Sequence, residues 1–200
     1  MPALLEQIAA LSSDPDVLHD IRQPDCNLAV WTREPLAGIG DLLGGSQTNI
    51  RLTTRADEVP DQIRTELDRA AYPSGAVRDA LIADIAGLGR RYAAILDLAE
   101  IELRLEIVTT DSCRKWHADY VSARLITTYC GQGTQWLDAR DAARVRDGCD
   151  PVRPRALATG DVGLFKGRLA TEHPAIHRSP PIAGTGEKRL LLVLNPAGEG

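Results

Sequence analysis

Large apolar side chains beyond leucine, isoleucine and valine are almost missing. There is one Phe and one Met in 200 residues, and aromatics make up 4%. A core must therefore be built on Leu, Ile, Val and Ala. The four cysteines form no CxxC pair, which excludes a sequence-local zinc knuckle. They are expected as free thiols in a reducing compartment. No apolar run approaches the ~20 residues that span a bilayer, so no membrane span is expected. The net charge is -5, with no basic excess to drive bulk binding of nucleic acid or anionic membrane. The opening MPALLEQIAALSSD lacks a basic n-region and a long apolar h-region, so no signal peptide and a cytoplasmic location are expected. The cluster GIGDLLGGS lacks GxGxxG spacing and a clear following βαβ unit, so it is not read as a phosphate loop.

What remains is ordinary for a globular chain: 44% hydrophobic and 26% charged residues. A chain of this size buries roughly 70% of its unfolded surface and needs no disulfide scaffold. One domain over 1–200 is expected. Residues 3–11 read as a short helix and CNLAVWTR, 26–33, as a strand. Residues 34–59 are turn-rich. A helix is expected over 60–71, with Pro60 in its first turn. From Ala76 to about Glu100, Val77, Leu81, Ile85, Leu88, Tyr92, Leu96 and Ala99 recur every three or four positions, which is an amphipathic helix packed on the rest.

The period then changes to two. IELRLEIV, 101–108, alternates apolar with charged residues, as a half-buried strand does. Beyond it come short strand candidates, KWHADYV, RLITTY, TQWL, GDVGLFKG, AIHRS and KRLLLVLN, separated by turns. That density suggests a sandwich or barrel. The Arg- and Asp-rich stretch 138–156 has no clean period and reads as a long surface connection. The fold class is thus α+β, a mostly helical 1–100 packed on β structure over 101–196.

His117 and Asp119 stand two apart in KWHADYV. On a strand, positions i and i+2 share a face, so the two could meet at one point. His177 in AIHRSPP would supply a third ligand. Two histidines and a carboxylate on one metal face suit non-haem Fe(II) and leave open positions. Arg189, twelve residues after His177, could hold the far carboxylate of a 2-oxoacid as a bidentate pair. Tyr129 and Arg124 could also reach the site, but strand parity puts them on opposite faces. Cys113 lies four before His117 and is a further candidate ligand; a thiolate there would favour Zn(II) over iron. His173 precedes His177 by four, but Pro174 argues against a helical ligand pair. Asp161 suits a turn cap, and Lys166 a solvated position.

The order HAD, RLITTY, GQGTQW, GDVGLF, HRSPP, RLLLVLN resembles the double-stranded β-helix (a jelly-roll, cupin-like barrel) of Fe(II)- and 2-oxoglutarate-dependent dioxygenases, in particular the prolyl-hydroxylase-like group. A closer resemblance is to the bacterial family DUF1826, through CxxxHxD, RLxxTYxGxGTxW and GDxxxxKG followed by HRSPP. It covers about residues 101–196. It implies Fe(II) at His117, Asp119 and His177, 2-oxoglutarate at Arg189 with Tyr129 or Arg124 assisting, and hydroxylation of an unnamed small-molecule or protein substrate. DUF1826 members often lie near zinc-starvation genes, which implies an alternative: a non-catalytic Zn(II) protein of metal homeostasis.

Overall fold

A computed structural model describes residues 8–199. The strands are β1 (Ile8–Ser12), β2 (Cys26–Trp31), β3 (Ile50–Thr54), β4 (Ile101–Val108), β5 (Ala123–Cys130), β6 (Gln135–Trp136), β7 (Arg155–Ala156), β8 (Val162–Lys166), β9 (His177–Arg178) and β10 (Arg189–Pro196). The helices are α1 (Val59–Arg69), α2 (Ala76–Leu96) and α3 (Ala139–Arg146), with 3-10 turns at Pro15–Arg22 and Ile39–Leu43. None of the described helices is long and apolar enough to cross a membrane.

Seven strands form one sheet in the order β1-β2-β8-β5-β10-β4-β3, and three form a second, β7-β6-β9. All pairings are antiparallel except β1 with β2. β10 is the hub, hydrogen-bonded to β4 on one side and β5 on the other. Its alternation divides the interior. Leu190, Leu192 and Leu194 are fully buried in the core shared with the helices. Each contributes about 1.5–3 kcal/mol by leaving water. Leu191 and Val193 enter a second core with Leu28, Val30, Ile126, Trp136 and Phe165, between the large sheet and the small one.

Helix α2 lays Leu81, Ile85, Leu88 and Tyr92 against the sheet, as its stripe requires. The Tyr92 hydroxyl donates to the Ala123 carbonyl at 2.7 Å, fixing helix to β5. The helix stops at Leu96 because Asp97 takes a left-handed conformation, φ 55°.

Several expectations need correction. The helix expected over 3–11 lies partly outside the described residues; within them, Ile8–Ser12 is an edge strand pairing parallel with β2. The stretch 34–59 hides β3, which pairs with β4 from Ile50↔Leu105 to Thr54↔Ile101. The first hundred residues thus give three strands to the large sheet, which is not confined to 101–196. Residues 138–156 contain α3, capped by the Asp138 side chain on the Asp141 amide. KWHADYV is not a strand: it is loop apart from one bridge at His117.

Candidate metal centre

That one bridge builds the site. His117 and His177 exchange both backbone hydrogen bonds, His117 N to His177 O at 3.0 Å and the reverse at 2.9 Å. Residues directly opposite in an antiparallel pair project their side chains to the same side. The two imidazoles accordingly lie 4.7 Å apart, centroid to centroid. His177 is held by β9 beside Trp136 of β6 and against the Phe165 ring at 4.7 Å. Asp119 follows in a loop pinned to the start of the chain after β8: the Arg168 amide donates to its carbonyl at 2.9 Å. Gly167 permits this approach, since a Cβ there would sit 2.1 Å from the Val121 carbonyl oxygen.

The ligand atoms of His117, Asp119 and His177 all lie within 4.8 Å of one another. His177 Nε2 is 3.2 Å from Asp119 Oδ2, and His117 Nε2 is 3.7 Å from Asp119 Oδ1. The other ring nitrogens face carbonyls: His117 Nδ1 lies 2.9 Å from Lys115 O, and His177 Nδ1 3.2 Å from Ala175 O. A carbonyl can only accept, so each Nδ1 is placed to donate to it, and each Nε2 is left facing Asp119. This is the orientation of metal-ligating histidines. Burial and the neighbouring His177 push His117 below its ordinary value, towards the neutral ring a metal needs. Burial pushes the Asp119 carboxyl up, but His177, Arg124 and His117 together outweigh it and hold it low. Asp119 Oδ2 is buried and makes no well-directed hydrogen bond despite its 3.2 Å contact. A carboxylate with an orphaned oxygen, faced by the Nε2 atoms of two imidazoles, fits a divalent cation.

Arg189 is the second unusual group. Its side chain is fully buried. Its guanidinium donates to Gln132 O at 2.6 Å, Ser179 Oγ at 3.2 Å, Thr128 Oγ1 at 3.3 Å and Thr134 Oγ1 at 3.4 Å. Among the described residues no carboxylate pairs with it: Glu187, the nearest in sequence, is turned to the Gln132 amide and side chain. Burial lowers its guanidinium to about 10, opposed by Glu187. The glycine turn makes this possible. Gly131 adopts φ 82°, and a Cβ on Gly133 would sit 2.0 Å from the Leu157 carbonyl oxygen. Only glycine lets the turn bring Gln132 O and Thr134 onto Arg189. A cavity of about 80 Å³ has His117 and His177 in its lining together with Thr134 and Ser179, so it links the cluster to the hydroxyls around Arg189.

The family described as "Protein of unknown function (DUF1826)" matches residues 12–195. The chain belongs to the DUF1826 family. Comparison with curated proteins gave no match. Among solved structures, this DUF1826 chain is similar to AviO1 from Streptomyces viridochromogenes Tue57, at 14% identity and TM-score 0.44 over 94% of this chain and 98% of that one. It is similar to HygX from Streptomyces hygroscopicus, solved with nickel and 2-oxoglutarate bound, at 14% identity and TM-score 0.43 over 94% and 88%. Hydroxypropylphosphonic acid epoxidase from S. wedmorenis follows at 18% identity and TM-score 0.31 over 48% of this chain. The match spans only 42% of that epoxidase. Likenesses this slight carry no functional weight; the side chains above do.

The remaining candidates of the DUF1826 chain fall elsewhere. Tyr129 is on the helix side of β5, where its hydroxyl donates to Asp84 Oδ2 at 2.6 Å, and the structure does not bring it to the cavity. Arg124 is on the cavity side, but it pairs with Asp119 Oδ1 at 2.6 Å and is not placed on Arg189. Cys113 is exposed and lines the cavity mouth, outside the three-residue cluster. His173 is exposed near Arg146. Asp161 closes its turn by accepting from the Ala158 amide. Lys166 is buried, not solvated, and donates to Gln23 O at 2.6 Å. Sequence reasoning missed Asn195, which receives the Arg124 Nε at 2.7 Å. Its only signal was a polar residue closing an otherwise aliphatic strand.

Proposed function

We propose that this protein is an Fe(II)- and 2-oxoglutarate-dependent oxygenase, with its two facing sheets forming a double-stranded β-helix. The observation that carries the reading is Arg189: a buried cation with no carboxylate partner among the described residues, joined through Ser179 and Thr134 to the cavity that His117 and His177 line. A buried charge is costly unless paired, and a dicarboxylate ligand supplies the missing anion. His117 Nε2, His177 Nε2 and Asp119 Oδ2 would hold the iron. When bound, Fe(II) and 2-oxoglutarate would supply oxidative decarboxylation by dioxygen, one oxygen atom passing to succinate as carbon dioxide leaves and the other into a substrate C–H bond.

The chain's own residues do the rest. Arg189 binds the far carboxylate, and Thr128, Thr134 and Ser179 orient the guanidinium through their hydroxyls. Ile126, Leu191 and Val193 give the same cavity an apolar wall. A zinc protein without turnover would use the same three ligands, but it gives the buried charge of Arg189 no anion to meet.

The test is anaerobic titration of metal-free protein with Fe(II), then 2-oxoglutarate. The weak visible charge-transfer band of the chelate is expected. Tight Zn(II) binding with no band and no 2-oxoglutarate affinity would replace the oxygenase reading with the zinc one.

A further inference from the structure

The large sheet carries a chain of polar contacts that ends on the candidate metal ligand Asp119. Arg124 on β5 forms an ion pair, NH1 to Asp119 Oδ1 at 2.6 Å, and donates its Nε to Asn195 Oδ1 at 2.7 Å. Asn195 on β10 gives its Nδ2 to Glu102 Oε1 on β4 at 2.9 Å. Glu102 Oε2 in turn accepts Arg51 on β3 at 2.6 Å. Beyond Asp119, which lies in a loop, each link joins neighbouring strands on the cavity side of the sheet, opposite the helices. Asn195 is 1% exposed, and both ends of its amide are used, so its orientation is fixed. Arg51 is largely exposed, so the outermost link is weak, while Arg124 and Glu102 are each 14% exposed.

The consequence falls on the two oxygens of Asp119. Oδ1 is occupied by Arg124, and Oδ2 is left without a well-directed hydrogen bond, 3.2 Å from His177 Nε2. We propose that Arg124, braced by Asn195 and Glu102, is a positioning device that makes Asp119 a one-oxygen ligand. This inference rests on the metal reading of the site. An octahedral ion with three protein ligands keeps roughly three open positions. A carboxylate with both oxygens free takes a second position, and one of those needed by an incoming two-point ligand and its co-reactant is lost. The planar guanidinium fork suits the task, because it reaches two acceptors in fixed directions. Arg124 and Asn195 touch no substrate in this account and act only through Asp119.

Mn(II) is the probe, since it shares the octahedral oxygen and imidazole preference. Affinity, and water-proton relaxivity per bound ion, are measured on the parent, Arg124→Met and Asn195→Leu. Circular dichroism of the metal-free proteins monitors their fold. The parent is expected to bind one Mn(II). Arg124→Met is expected to bind about tenfold more weakly or worse, as loss of an outer partner that orients a metal ligand usually does. Its relaxivity per bound ion is expected to fall by roughly a third, one water of about three having been displaced. Asn195→Leu, which touches no ligand, shifts both readings the same way by less. If Arg124→Met does not fold, Arg124→Lys, which keeps the charge and loses the fork, is read by the same relaxivity. Parent-like affinity and relaxivity in both variants overturn the inference. So does weaker affinity with unchanged relaxivity per bound ion, which marks a merely structural arginine. A parent that binds no Mn(II) overturns the metal reading itself and this inference with it.

Discussion

Replacing Arg189 with methionine separates a ligand-binding cation from a structural one. Burial lowers the guanidinium to about 10. At 1.36 kcal/mol per tenfold change in that equilibrium, keeping the charge there costs roughly 3 kcal/mol. Methionine removes this cost and fills similar space. It also removes four hydrogen bonds, two of them 3.3 and 3.4 Å long, worth roughly 0.5–1.5 kcal/mol each. The two effects partly offset, so the metal-loaded variant without co-substrate should lie within about 3 kcal/mol of the parent. Breaking a buried ion pair, by contrast, costs 3–5 kcal/mol. Co-substrate then tells the two proteins apart. At a hundred times its dissociation constant, 2-oxoglutarate stabilises the parent by about 2.7 kcal/mol. For a chain of this size that is roughly 5–11 °C in Tm. Thermal melts of the Zn(II)-loaded proteins, with and without 2-oxoglutarate, measure both quantities. Arg189→Met should keep its own Tm and lose the ligand shift. A variant that loses more than about 4 kcal/mol yet keeps the full shift would refute the reasoning, because Arg189 would then be holding the fold and not the ligand.

Other outcomes follow from the same geometry. Asp119→Ala should abolish metal binding in isothermal titration, while Cys113→Ser should leave it unchanged within about twofold, since the thiol lies outside the cluster. Gly133→Ala should destabilise by more than about 2 kcal/mol in urea, because its methyl would meet the Leu157 carbonyl at 2.0 Å. Tyr72, Tyr92 and Tyr129 are all buried, and burial raises each phenol, Tyr72 to about 12. An acid whose folded value is raised ionises first in the unfolded chain, so the stability it contributes is whole below about pH 10 and is lost as pH climbs from there. Three such groups give a slope of roughly 4 kcal/mol per pH unit between about 10 and 12. Absorbance at 295 nm should therefore rise together with cooperative unfolding; three phenols titrating in a protein still folded would contradict this.

The legible parts of the fold were those with a period. IELRLEIV alternates and becomes β4; the apolar stripe from Val77 to Leu96 becomes α2. β3 was hidden because an edge strand buries little: only Ile50 and Thr54 are buried along it. α3 buries a single side chain, Asp141, whose carboxylate accepts the Val152 and Arg153 amides, so no hydrophobic stripe announces it. His117, Asp119 and His177 were brought to one point, but by a route the strand argument did not foresee. Asp119 reaches the histidines from a loop, and it is the bridge between His117 and His177 that aligns the rings. The polar contacts through Arg124, Asn195 and Glu102 come from three strands far apart in sequence, and no spacing rule connects them.

The place of β10 between β4 and β5 also bears on how the molecule is made. Those two strands are synthesised about eighty and about sixty residues before their common neighbour. Until it arrives, each presents an open edge of unpaired amides and carbonyls, the surface most prone to pairing with another chain. Closure needs contacts of long sequence separation, which form slowly. The strand that ends this exposure also carries Arg189. A nascent chain therefore lacks this buried cation, and any anion that pairs with it can bind only after the sheet has closed.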